Sequence, residues 1–228
     1  IEITMNKGFS PGSGLGSSAA SSAGAAFGVN QLLNKPFSNL ELTKFAMLGE
    51  KIACGAPIAD NVAAVIFGGF ILIRSYEPLD VIKLPVPKDL RLVAIHPQIE
   101  IKTEDARKVV PTQIDLKTAI TQWSNVGGLI SGLHSNDFDL IGRSLVDLVA
   151  EPNRKKLIPL FDDVKQSAIA AGALGAGISG SGPSIFALSK NLETAQKVET
   201  AMDAVYKNSG IDYSTYVSHI SKTGTLIQ

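Results

Sequence analysis

With a single cysteine, Cys54, in 228 residues, the chain has no internal disulfide open to it. That fits a reducing compartment such as the cytoplasm. Neither sign of charge is in excess: 21 Lys and Arg stand against 21 Asp and Glu. Such a balance gives no global pull toward nucleic acid or an anionic membrane, so any anion binding must be local. Charged residues are also sparse, at 18%. The longest apolar run, Val62–Ile73, is broken by Gly68 and Gly69 and is too short for a membrane-spanning helix. Ile1–Asn6 lacks the basic and apolar regions of a signal peptide. There is no internal repeat and no low-complexity tail. What remains is a 45% hydrophobic chain, long enough for one large domain or two small ones. The expectation is a soluble, cytoplasmic protein with no nucleic-acid or membrane partner.

The local pattern predicts an α+β chain in which strands alternate with helix pairs. Ile1–Met5 alternates apolar and polar residues, as a half-buried strand does. A helix is expected from Ser17 to about Asn34, stopped by Pro36. Ser38 followed by Glu41 has capping-box spacing and should open a second helix ending near Gly55, with Leu42, Phe45, Ala46 and Leu48 on its apolar positions. Strands are read at Phe70–Arg74, Asp80–Leu84, Leu90–His96, Ala176–Ser179, Ser184–Leu188, Tyr213–Ile220 and Gly224–Ile227. Further helices are read at Thr112–Leu133, Phe138–Leu148, Leu157–Ala171 and Leu192–Asn208. Leu84–Asp89, with Pro85 and Pro87, is the expected boundary between residues 1–89 and 90–228. Trp123, Phe27 and Cys54 are expected in the core, and His96, His134 and His219 have no metal-like spacing.

The chemistry concentrates in Pro11-Gly12-Ser13-Gly14-Leu15-Gly16-Ser17-Ser18-Ala19-Ala20. The first turn of a helix carries free N–H groups and a partial positive charge. A polyphosphate supplies acceptors and negative charge, so it sits well there. Gly12, Gly14 and Gly16 let backbone approach the phosphates closely. Ser17 and Ser18 add hydroxyls where a Mg²⁺ bridging the phosphates needs oxygen ligands. No Gly-Lys-Ser/Thr follows, which excludes a Walker A loop, and the third glycine comes too early for the dinucleotide fingerprint. Read bare, the segment is either such a phosphate loop or a glycine turn before an ordinary helix.

Pro11, Gly14-Leu15 and Ser17-Ser18-Ala19 resemble the second signature of the GHMP kinases, with one residue fewer after the proline. Gly177–Ser184, with Gly180, Ser181 and Gly182, resembles the third signature, a glycine loop near the phosphates. Ala59-Asp60-Asn61-Val62-Ala63, Lys102–Pro111 and Glu151-Pro152-Asn153-Arg154 are similar to the homoserine-phosphorylating members. The resemblance implies a two-domain fold: an incomplete ribosomal S5-like domain over 1–89 and a ferredoxin-like domain over 90–228. It implies ATP and Mg²⁺ as cofactors and L-homoserine as acceptor. Ser18 and Glu50 would hold the metal. Pro11 through Ala20 and Gly180–Gly182 would hold ATP. Arg107 and Arg154 would bind the amino acid's carboxylate, with Asn61 near its hydroxyl. Asp60 and Thr103 would lie at the transferred phosphoryl, and a homodimer is a possible assembly.

The sequence departs from that pattern in places. Ile58 stands where these members have histidine, and Ala64 where they have proline. The first signature is absent and the chain opens without Met, so an upstream segment is expected. Two other readings stay open: a GHMP kinase acting on mevalonate or a sugar, and an inactive nucleotide-binding fragment.

Overall fold

In the computed structural model, which describes residues 1–227, the chain falls into two compact units. One comprises Ile1–Pro11, Gly16–Val86 and the tail from Ser221; the other comprises Gly12–Leu15 and Pro87–Ile220.

The first unit is three helices and a hairpin: α1 (Ser17–Leu32), α2 (Asn39–Cys54), α3 (Asp60–Phe67), β1 (Phe70–Tyr76) and β2 (Leu79–Leu84). Ala19 and Ala23 of α1, Leu42 and Ala46 of α2, and Val62 and Ile66 of α3 bury against one another. The small residues bring α1 and α2 close: a Cβ on Gly49 would lie 2.4 Å from Ser22 Oγ. The start of α2 is set locally. Ser38 Oγ accepts from Glu41 N while Glu41 Oε2 accepts from Ser38 N, a complete capping box. Gly55, left-handed at φ 78°, ends the helix. β1 and β2 pair antiparallel from Phe70↔Leu84 to Tyr76↔Leu79.

Several expectations fail here. Ile1–Met5 is exposed throughout and forms no strand, because no strand among the described residues pairs with it. Phe45 and Leu48, expected on the buried side of α2, are 44% and 60% exposed. Cys54 is only half-buried, with its Sγ donating to the Glu50 carbonyl oxygen. Gly224–Ile227 is not a strand; Thr225 instead donates its hydroxyl to the Val65 carbonyl near the end of α3. Phe27 packs partly buried against the helix core, as expected.

The second unit is built on four strands: β3 (Arg91–Pro97), β4 (Gly175–Ile178), β5 (Ile185–Ser189) and β6 (Tyr213–His219). Their order is β4-β5-β3-β6, every neighbour antiparallel. Its helices are α4 (Thr103–Lys108), α5 (Leu116–Ser135), α6 (Phe138–Ser144), α7 (Glu151–Arg154), α8 (Phe161–Ala170) and α9 (Leu192–Tyr206). This is the β-α-β-β-α-β arrangement of ferredoxin-like sheets. α8 and α9 cover one face: Phe161, Val164, Ala168, Ala195, Val198, Met202 and Tyr206 pack on Val93, Ile95, Ala176, Ile185 and Ala187. Each such large aliphatic side chain contributes about 1.5–3 kcal/mol by leaving water. Trp123 is not core: it lies on the outer side of α5, 64% exposed. α5 buries Ala119, Gly132 and Leu133 instead.

Candidate functional site

In the first unit the site residues gather at the start of α1. Its N-cap, Gly16, is left-handed at φ 79° and has no side-chain oxygen to offer. The amides of the first turn therefore have no side-chain cap and are open to an anion. Ser17 is buried at that turn, and Lys7 Nζ donates to its hydroxyl at 3.2 Å, so a cation stands beside the same amides. Nothing in the sequence singles out Lys7, which precedes the glycines with no spacing that marks it.

Ser18 Oγ donates to Glu50 Oε2 at 3.1 Å. Glu50 is 4% exposed, and its other oxygen, Oε1, has no hydrogen-bond partner. A buried carboxylate with an orphaned oxygen beside a hydroxyl fits a hard cation. No cluster of three or more His, Cys, Asp or Glu side chains suited to a metal occurs among the described residues. Ser18 and Glu50 thus suit an ion that draws its remaining oxygens from phosphate and water, as Mg²⁺ does. Asp60 and Asn61 are the exposed first two residues of α3. Asp60 Oδ1 accepts from Asn61 N, and the Asn61 side chain lies 3.9 Å from where a Cβ on Gly16 would be. Pro11, Ala19 and Ala20 belong to this unit as well. A cleft of about 380 Å³ runs along α1, with Lys7, Phe9, Ser17, Ala20 and Gly24 among its walls.

In the second unit Gly12–Leu15 lies against the turn between β4 and β5. Ser184 Oγ donates to the Ser13 carbonyl at 2.6 Å, and Ser179 Oγ to the Gly14 carbonyl at 2.8 Å. Gly14, at φ 77°, has no room for a side chain: a Cβ would lie 2.6 Å from the Ser179 carbonyl oxygen and 2.7 Å from that of Gly182. The turn Ser179–Ser184, including Gly180, Ser181 and Gly182, therefore supports the backbone of the loop. Ser179 and Ser184 lie in the stretch that resembles the third signature, but their bonds to a loop more than 160 residues away are marked by no local pattern.

The remaining residues lie nearby in the same unit. Thr103 is the first residue of α4, and Arg107 is half-buried in its last turn. Arg154 ends α7; its Nε donates to the Ala106 carbonyl and its Nη1 to the Gly180 carbonyl, each at 3.0 Å. Arg154 thus joins the residue preceding Arg107 to the glycine turn.

Comparison with known proteins decides the family. The model of the GHMP kinases N terminal domain matches residues 1–69, and that of the GHMP kinases C terminal matches residues 129–208. A homoserine kinase of Chlorobium phaeobacteroides (strain BS1) is 48% identical over 229 residues, covering all of this chain and 72% of that relative. The chain belongs to the GHMP kinases, among the homoserine kinases. The crystal structure of homoserine kinase from Cytophaga hutchinsonii superposes with a TM-score of 0.92 at 53% identity, covering 96% of this chain and 69% of that one. The L. major mevalonate kinase, at 19% identity and a TM-score of 0.72, covers 92% of this chain and 68% of its own, and shares the fold. As a member of this family the chain is an ATP-dependent small-molecule kinase, and its α+β architecture is the GHMP one. No helix among the described residues is long and apolar enough to cross a membrane.

Proposed function

We propose that this protein transfers the γ-phosphoryl group of ATP to the side-chain hydroxyl of L-homoserine, yielding O-phospho-L-homoserine and ADP, a step of threonine biosynthesis in the cytoplasm. The observation that carries the reading is the end-to-end likeness to homoserine kinases, 48% identical over the whole chain. In this reading residues 1–89 continue the ATP-binding domain and residues 90–228 form the C-terminal domain. The protein assembles as a homodimer, which sedimentation of the purified protein tests.

Phosphoryl transfer needs alignment and charge neutralisation more than covalent help. The uncapped first turn of α1 and the loop Pro11–Ala20 take the triphosphate, together with Gly180, Ser181 and Gly182. The cleft along α1 has the size of a small-ligand pocket and suits the nucleoside. Ser18 and Glu50 hold Mg²⁺, which when bound neutralises the phosphates and orients the transferred group. Arg107 and Arg154 hold the amino acid's carboxylate, since guanidinium forks match carboxylates. Asn61 hydrogen-bonds the acceptor hydroxyl, Asp60 takes or orients its proton, and Thr103 steadies the group in flight.

The test is ADP release from Mg-ATP with homoserine, mevalonate and galactose offered separately. Turnover with homoserine alone supports the reading. Turnover with another alcohol keeps the kinase and overturns the use of the arginines. In Arg107→Ala the homoserine KM should rise about ten- to a hundredfold with the ATP KM nearly unchanged. Equal rises in both would remove Arg107 from the carboxylate site.

A further inference from the structure

We propose that Asp147 is the positioning residue for Arg154, so that homoserine affinity depends on a carboxylate that never touches homoserine. The inference rests on the reading of Arg154 as a carboxylate ligand.

α7 is one turn of four residues, Glu151–Arg154, and its N-cap, Ala150, has no side-chain acceptor. A single helical turn does not hold its shape by itself. Its leading amides need acceptors from elsewhere. Asp147 supplies one to the first of them, that of Glu151, and to the two amides just before the turn, while Asn153 N and Arg154 N donate to the Ala150 carbonyl. Asp147 Oδ1 accepts from Val149 N at 2.8 Å and Ala150 N at 2.9 Å, and its Oδ2 accepts from Glu151 N at 3.1 Å. One half-buried carboxylate therefore binds three consecutive amides and fixes where α7 begins.

The approach to that turn is fixed from α5. Leu148 N donates to Gln122 Oε1 at 2.9 Å, and Asn125 Nδ2 donates to the Val146 carbonyl at 3.0 Å. On the far side Glu151 pairs with Lys165 of α8. Gln122, Asn125 and Asp147 form a bracket around residues 146–151, and α7, which the bracket starts, ends on Arg154. There, two of the five guanidinium N–H groups are engaged with Ala106 and Gly180, which leaves three for a carboxylate. Tilting α7 by a fraction of a turn breaks both carbonyl contacts and displaces the fork.

A cap that only stabilises the fold would change Tm and leave KM alone. A positioning residue changes the homoserine KM and does so only through Arg154. Four enzymes decide: Asp147→Ala, Asp147→Asn, Arg154→Ala and the double variant Asp147→Ala/Arg154→Ala. We expect Asp147→Ala to raise the homoserine KM about tenfold with the ATP KM within about twofold. Asp147→Asn, which keeps one carbonyl oxygen for two of the amides, should restore most of that affinity. The double variant should bind homoserine no worse than Arg154→Ala, because a displaced arginine and a missing one are equivalent. If Arg154→Ala raises the homoserine KM and Asp147→Ala lowers only Tm, or if the two effects add, the positioning role is overturned and the carboxylate role of Arg154 stands. If Arg154→Ala leaves the homoserine KM unchanged, both fall. Should Asp147→Ala not fold, Gln122→Ala removes one bond of the bracket and is read in the same cycle. A rise of about two- to threefold that vanishes in the Arg154→Ala background supports the role, and no rise overturns it.

Discussion

The Ser18 hydroxyl is tied to one oxygen of Glu50, and the second oxygen of that carboxylate is buried with no partner. A buried charge left half-satisfied is costly in the ligand-free protein, so its worth must be realised with a cation present. Glu50→Gln keeps the shape and removes the charge. We expect the Tm of the ligand-free protein to hold or rise, while kcat falls about 10²–10³-fold and the added stabilisation by Mg-ATP disappears. Thermal melts with ATP alone and with Mg-ATP check both halves. A lower Tm without ligand, at unchanged kcat, would make Glu50 an ordinary structural residue.

Two glycine substitutions should separate loop from helix. Gly14→Ala forces a side chain into 2.6 Å of the Ser179 carbonyl at a left-handed φ, and should lower ATP affinity by an order of magnitude or more. Gly28→Ala, on the exposed side of α1 with nothing within 4 Å of the new methyl, should stabilise by about 0.5–1 kcal/mol at unchanged kcat. Titration with ATP and urea unfolding supply the two readouts.

Ser38→Ala removes the capping box of α2, away from the proposed chemistry. The expected loss is about 1 kcal/mol, or about 2–4 °C in Tm, with both KM values unchanged. Since α2 carries Glu50, a changed Mg²⁺ requirement would show that the start of the helix governs the metal site.

His96 of β3 is 3% exposed and its Nδ1 has no hydrogen-bond partner. Burial pulls its pKa below the ordinary 6.5. The unfolded chain therefore binds this proton more readily than the folded one. The stabilisation is complete above pH 6.5 and declines as pH falls from there toward the depressed folded value. The unfolding free energy read from urea titrations should drop between pH 7.5 and 5.5, by at most about 1.4 kcal/mol per pH unit from this group. His96→Asn should show a shallower drop, and an identical slope would assign the acid sensitivity to other groups.

Features that depend on neighbours in sequence were legible before the structure. Ser38 with Glu41 predicted the start of α2, and Gly16 before Ser17-Ser18 the start of α1, because both are set within a few residues. α3 was hidden: Val62, Ala63 and Ile66 bury at helical spacing, but the run around them is apolar almost throughout and shows no period. Ile1–Met5 has the alternation of a strand, yet alternation does not supply a partner. Trp123 and Leu48 show that a large apolar side chain buries only where a neighbouring element covers it. In the candidate site the loop and the arginine segments could be read from motif alone. The seating of Ser184 on Ser13 and of Asp147 beneath α7 could not, because hydrogen bonds of this kind leave no periodic trace.

The strand order β4-β5-β3-β6 also has a bearing on synthesis. β3 is the first strand of its sheet to be made, and its two neighbours are the last: Arg91 pairs with Ser189 on one side and His219 on the other. During translation an almost wholly apolar strand must wait, with both edges unpaired, for nearly the rest of the chain to leave the ribosome. Until β6 arrives it is a template for any other extended segment, including the same strand of a neighbouring nascent chain. The charged Arg91 at one end and Pro97 at the other confine that exposed stretch to five residues' length, and a chain released early, before Tyr213, would keep the hazard permanently.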